Sequence, residues 1–125
     1  MGADIWLGKP SESLGYFRDS YSPFNTLNAL GMSYWQDLVP LLEESGAFPL
    51  ERNDWLLGEL RQRVALRLQA SDAAEQARGY LTSEMINQPQ AAPAAMVAVW
   101  YAHIQELIRL IEYSTRIGVP LYMSL

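Results

Sequence analysis

Between Pro93 and Gly118, apolar side chains recur at helical spacing for about seven turns, and this one segment constrains the fold more than any other. At roughly 100° per residue, Val97, Trp100, Tyr101, Ile104, Leu107, Ile108 and Ile111 gather along one side. Val99, Leu110 and Ile117 carry the apolar arc past half the circumference. Gln105, Glu106, Arg109, Glu112 and Arg116 are left as a narrow solvated strip, with Arg109–Glu112 and Glu112–Arg116 at ion-pair spacing. A helix so widely apolar must sit at the centre of the fold, or meet a partner subunit as well. The chain has 125 residues, 50% of them hydrophobic and 18% charged, which suits a single globular domain over 1–125 with a buried core.

The remaining elements arrange around that helix. Residues 3–7, ADIWL, are short, apolar and bounded by Gly8 and Pro10, which predicts a strand. After Gly118, VPLYMSL predicts a second extended segment, and LGYF at 14–17 is available as a third. Ser22-Pro23 is an N-cap followed by proline at the first helical position, with Gly31 closing a short helix. Ser33 starts another, with Gln36 three residues on as a capping box, Pro40 as a kink and Gly46 as its end. A long helix is expected over about 50–69 and a further one near 72–86, capped by Asp72 and Glu75. NQPQAAP at 87–93 reads as the linker before the last helix. The expected fold is therefore mainly α, with four to five helices and a small two- or three-stranded sheet joining the N- and C-terminal segments.

Charge and composition exclude several classes. The net charge is −5, and residues 1–51 hold seven acids against Lys9 and Arg18, so a phosphate backbone would meet repulsion and no nucleic-acid partner is expected. There are no cysteines and His103 is the single histidine, so neither a disulfide, a thiol nucleophile nor a zinc site is expected, and no cofactor. The run AAPAAMVAVWYA is too short for a membrane span, and MGADIWLGKP lacks the basic and apolar regions of a secretory leader. The expected compartment is the cytoplasm.

Candidate sites are few. GYFRDSYSPFN sets Arg18 and Asp19 within a frame of aromatics. One reading is a ligand pocket built from Tyr16, Arg18, Asp19, Tyr21, Asn25 and Trp35. The other is an anchored turn, in which Asp19 bonds the backbone and Arg18 lies flat on a ring. The turn is the preferred reading. On the helix at 50–69, Leu57, Leu60, Val64 and Leu68 share one face, while Trp55 and Leu66 fall nearly opposite and need a cover. Arg61, Arg63 and Arg67 read as a solvated helix face, with Glu59 four residues before Arg63 as its partner. His103, on the edge of the apolar arc, reads as a satisfied core or interface histidine. No phosphate loop, nucleophile elbow or HExxH occurs, which points away from catalysis.

MGADI, GYFRDSYSPFN and NALGMSYWQDLVPLL together resemble a loose group of short uncharacterised proteins encoded by phages and bacteria. The resemblance covers about the first third of the chain and implies an accessory or mobile-element gene, with no activity, cofactor or catalytic residue. The expected function is thus a small acidic interaction protein. It would act through an aromatic or apolar surface on a protein partner or on a second copy of itself. A small-molecule binder or enzyme with its pocket at GYFRDSY is the alternative.

Overall fold

The computed structural model describes residues 2–20, 26–69 and 92–125. Its centre is a four-stranded antiparallel sheet in the order β2-β1-β4-β3. The strands are β1 (Gly2–Leu7), β2 (Gly15–Ser20), β3 (Ala47–Phe48) and β4 (Leu121–Ser124). Two long helices, α1 (Asn53–Gln69) and α2 (Ala92–Ile117), supply the second layer. The fold is therefore α+β, and the expectation of a mainly α protein with four to five helices and a two- or three-stranded sheet is corrected.

The correction has local causes. The segment 28–41 forms only single turns among its described residues: Asn28–Leu30 and Val39–Leu41 as 3-10 helix and Tyr34–Leu38 as π-helix. Gly31, left-handed at φ 72°, stops the first, and Pro40 sits in the opening turn of the last. Helices this short gain too few hydrogen bonds to offset nucleation, so tertiary packing decides their form. Ser33 does cap its turn, accepting from the Gln36 N–H at 3.4 Å. The reciprocal partner differs from the expected Gln36, because the Ser33 N–H donates to the Asp37 carboxylate at 2.7 Å. Gly46 ends no helix; at φ 88° it turns the chain into β3, and its carbonyl accepts from the Met123 N–H at 2.8 Å. The expected Ser22-Pro23 cap, the helix near 72–86 and most of the 87–93 linker lie outside the described residues.

Alternation along the strands separates two faces. Ala3, Ile5 and Leu7 of β1 are buried, as are Leu121 and Met123 of β4, Phe17 of β2 and Phe48 of β3. The register sets Ile5 opposite both Phe17 and Met123, and Leu7 opposite Leu121, so these side chains share the inner face. Leu56, Leu60 and Val64 of α1 and Ile104, Leu107 and Ile111 of α2 belong to the same buried cluster. Leu27, Leu30, Met32, Tyr34 and Leu38 join it from the single-turn segment.

Polar contacts tie the helices together. Asn53, 1% exposed at the start of α1, donates from Nδ2 to Ser114 Oγ at 3.0 Å and to Thr115 Oγ1 at 3.1 Å. Arg61 of α1 pairs with Glu112 of α2 at 3.0 Å. Arg63 meets Glu59 at 3.0 Å, as its spacing predicts, and also donates to the Leu30 carbonyl at 2.9 Å. Two arginines of the expected solvated face are thus structural ties.

Candidate functional site

The alternation of β2 settles the geometry of GYFRDS. Phe17 and Asp19 point to the inner face and are buried, whereas Tyr16 and Arg18 point outward and are exposed. Arg18 and Asp19 therefore stand on opposite sides of the sheet and do not share a pocket. Asp19 accepts on Oδ2 from the Tyr34 hydroxyl at 2.6 Å and from the Thr26 N–H at 2.9 Å. It fastens the end of β2 to the segment that follows, the role of an anchor. Trp35 is 56% exposed on the π-helical turn, while Tyr21 and Asn25 lie outside the described residues.

The outer face carries a row of aromatics that the short apolar pattern of ADIWL did not announce. Trp6 stands opposite Tyr16 on one side and opposite Tyr122 on the other. The Trp6 and Tyr16 rings lie 5.7 Å apart at a 35° tilt. Beside them Asp4 faces Arg18 across the strands, with 3.9 Å between carboxylate and guanidinium. Arg18 is paired with this carboxylate rather than laid on a ring, which corrects that part of the turn reading.

The Tyr16 hydroxyl donates to the Asp4 carboxylate. This bond, with the negative charge behind it, raises the Tyr16 pKa above its ordinary value. The Tyr16 ring is therefore expected to ionise later than an ordinary tyrosine in an NMR titration to high pH, and Asp4→Asn to bring it back down. In linkage terms the bond stabilises the fold below the ordinary tyrosine pKa and is lost as pH rises through the raised one.

Among the described residues β2 is an edge strand, so one side of its backbone has no strand partner among them. The Arg18 carbonyl points to that open side, where His103 Nε2 donates to it at 2.8 Å. His103 is half-buried, with its ring edge-on to Phe17 at 4.5 Å between centroids. It is a satisfied histidine that closes one end of the open edge. Because backbone groups alternate in direction along a strand, Tyr16 also turns its N–H and C=O to the open side.

Between this edge and α2 runs an open cleft of about 610 Å³. Gly15 forms part of its wall, and a Cβ at that position would stand 2.8 Å from Leu110 Cδ1, so glycine is what lets α2 close on the strand. The helix side of the cleft presents Glu106, Arg109, Leu110, Glu112, Tyr113 and Arg116. Glu112 is drawn to Arg61 of α1, and so the expected Arg109–Glu112 and Glu112–Arg116 pairs do not form. Among the described residues neither Arg109 nor Arg116 has a carboxylate within ion-pair distance, and Arg116 lies over the Tyr113 ring at 5.2 Å. The cleft thus combines a strand edge left open by the described residues, an apolar contact at Leu110, the guanidinium groups of Arg109 and Arg116, and two carboxylates, Glu106 and the Arg61-paired Glu112. Sequence reasoning placed Arg109 and Arg116 on a solvated strip; the diversion of Glu112 to α1 was the signal it lacked.

Trp55 and Leu66 are 42% and 57% exposed on α1, the side away from buried Leu60 and Val64. Among the described residues, no group of three or more metal-ligating side chains is gathered and no helix is long and apolar enough to cross a membrane. No family model, no curated protein and no solved structure matches the chain.

Proposed function

We propose that this chain is a protein-interaction module that binds an extended acidic segment of its partner as an added strand on β2. One observation carries the reading: among the described residues, the edge at Tyr16 has no strand partner and runs beside a cleft whose two arginines, Arg109 and Arg116, lack carboxylate partners. Strand addition draws affinity from main-chain hydrogen bonds and specificity from alternate side chains. Here the added strand bonds to the Tyr16 N–H and C=O. Its residues alternate between the outer face beside Tyr16 and the cleft, where a carboxylate meets Arg109 or Arg116. Guanidinium is suited to this because its planar fork accepts a carboxylate in bidentate fashion. Gly15 and Leu110 hold the helix at the distance the cleft requires.

The overall charge of −5 does not oppose this partner. Acidic groups of residues 1–51 that lie beyond a Debye length of about 8 Å are largely screened at physiological salt, whereas the two arginines are in contact. Of the two carboxylates in the cleft, Glu112 is held by Arg61, so the ligand's acidic groups must meet Arg109 or Arg116 while avoiding Glu106.

Selection of random peptides displayed against the immobilised chain tests the proposal. The enriched sequences are expected to be extended, with acidic residues at alternate positions, and to lose at least about tenfold in affinity on Arg109→Glu with Arg116→Glu. Both side chains are exposed, so the double variant is expected to fold with an unchanged circular dichroism spectrum. Enrichment of sequences without acidic residues, or affinity indifferent to the double variant, contradicts the proposal.

A further inference from the structure

We infer that the exposed face of α1 is a self-association surface that pairs two copies of this chain across a two-fold axis. The inference rests on α1 alone and is independent of the β2 cleft.

Gly58 is the first observation. It lies in the interior of α1, is exposed, and a Cβ added there would meet nothing within 4 Å among the described residues. Glycine inside a helix costs stability relative to alanine, and no contact among the described residues requires it. Gly8, Gly31, Gly46 and Gly118 differ in having positive φ, which accounts for each of them. A missing side chain on an exposed helix face lets another backbone approach closely.

The surroundings of Gly58 say which backbone. Trp55 and Leu66 lie on one line along the helix, about 20° apart in angle, and Gly58 and Ala65 form a parallel line of small residues, also about 20° apart. All four are exposed. When two copies of α1 meet antiparallel across a two-fold axis, each line faces its own copy. Trp55 then covers Leu66 of the second copy, and Gly58 abuts the second copy's Ala65. The first pair is centred between Leu60 and Arg61, the second between Arg61 and Gln62. One axis serves both to within about 1.5 Å, the rise of one residue.

Two further residues fit the same axis. Glu59 and Arg63, already ion-paired within the chain at 3.0 Å, are centred on Arg61, so the two copies place opposite charges side by side. Gln62 lies next to the axis, where an amide, both donor and acceptor, can bond its own copy. A C2 interface is made of one patch that complements itself, and this face meets that requirement at each pair. An unrelated partner would need no such coincidence. One helix pair is smaller than a standard interface of about 1,600 Å², so the dimer is expected to be micromolar.

Sedimentation equilibrium of the intact chain from about 1 to 500 µM tests this, and a reversible monomer–dimer equilibrium is expected. Trp55→Ala is expected to weaken it at least about tenfold. Gly58→Leu is expected to raise the thermal midpoint of the dilute protein while weakening the dimer, opposite signs that a purely structural glycine would not produce. Register is read by disulfide trapping, because the chain has no cysteine of its own. Trp55→Cys mixed with Leu66→Cys is expected to cross-link in preference to either variant alone. A chain that stays monomeric throughout, a dimer indifferent to Trp55→Ala and Gly58→Leu, or cross-linking of Trp55→Cys to itself in preference overturns the inference.

Discussion

Asp19→Ala is expected to destabilise the fold by about 2–4 kcal/mol, while Arg18→Ala, one residue away, is expected to cost less than about 1 kcal/mol. The difference follows from the strand. Asp19 is 5% exposed and accepts hydrogen bonds from, among the described residues, the Tyr34 hydroxyl and the Thr26 N–H. Alanine would leave both donors without this acceptor, and Tyr34 and Thr26 are themselves only 1% and 2% exposed. A buried donor that loses an acceptor forfeits desolvation already spent on that bond, which is why truncating one side is more damaging than the net worth of the bond. Arg18 has a side chain 62% exposed and lies 3.9 Å from Asp4, an ion pair screened by water. Urea unfolding of the two variants makes the comparison. Equal losses would mean that the two side chains do not occupy opposite faces of β2.

A second large effect is expected at Ile111, where alanine should cost about 3–4 kcal/mol. Ile111 is fully buried and belongs to the cluster that joins α2 to the sheet and to α1. Its removal deletes apolar contacts within that cluster and leaves a cavity that a backbone pinned at Asn53–Ser114 and Arg61–Glu112 is poorly able to close. Ile117→Ala, on the same helix but 38% exposed, is expected to stay within about 0.5 kcal/mol. The comparison tests how α2 is buried. The sequence suggested an apolar arc past half the circumference, yet Tyr101 and Ile117 of that arc are exposed, and among the described side chains of α2, 101–117, one face enters the core.

The long periodic segments were legible because their pattern repeats over many turns. α1 and α2 begin and end within a few residues of where capping, periodicity and Gly118 place them. β1 and β4 were legible from short apolar runs between Gly and Pro. β2 was seen only as LGYF, because RDS looked like turn chemistry. Once Phe17 and Asp19 are recognised as alternate residues, the strand runs on to Ser20 with its carboxylate inward. β3 has only two residues and exists because β4 offers it an edge, a long-range cause that no local pattern carries. The helix expected between Ser33 and Gly46, kinked at Pro40, does not form for a related reason. Ser33 caps as predicted, but Pro40 and the demands of packing Tyr34 and Leu38 leave only single turns.

The candidate site was partly legible. GYFRDSY held both an anchor and an exposed edge, and the sequence could not say which residue was which until the face of each was known. Arg109 and Arg116 were visible as charges, but their freedom depends on Glu112 reaching across to Arg61, a contact between two helices. Trp55 and Leu66 needed only the helical period, and both stand exposed where that period puts them.

The most direct test of the proposed strand addition is the exchange rate of the Tyr16 amide hydrogen, measured by NMR with and without a selected acidic peptide. An unpaired edge predicts rapid exchange in the peptide-free protein and strong protection once the peptide is bound, with the amide of Phe17, already paired to β1, unchanged. A Tyr16 amide that is protected before any peptide is added, or that exchanges at the same rate when the peptide is bound, contradicts the account.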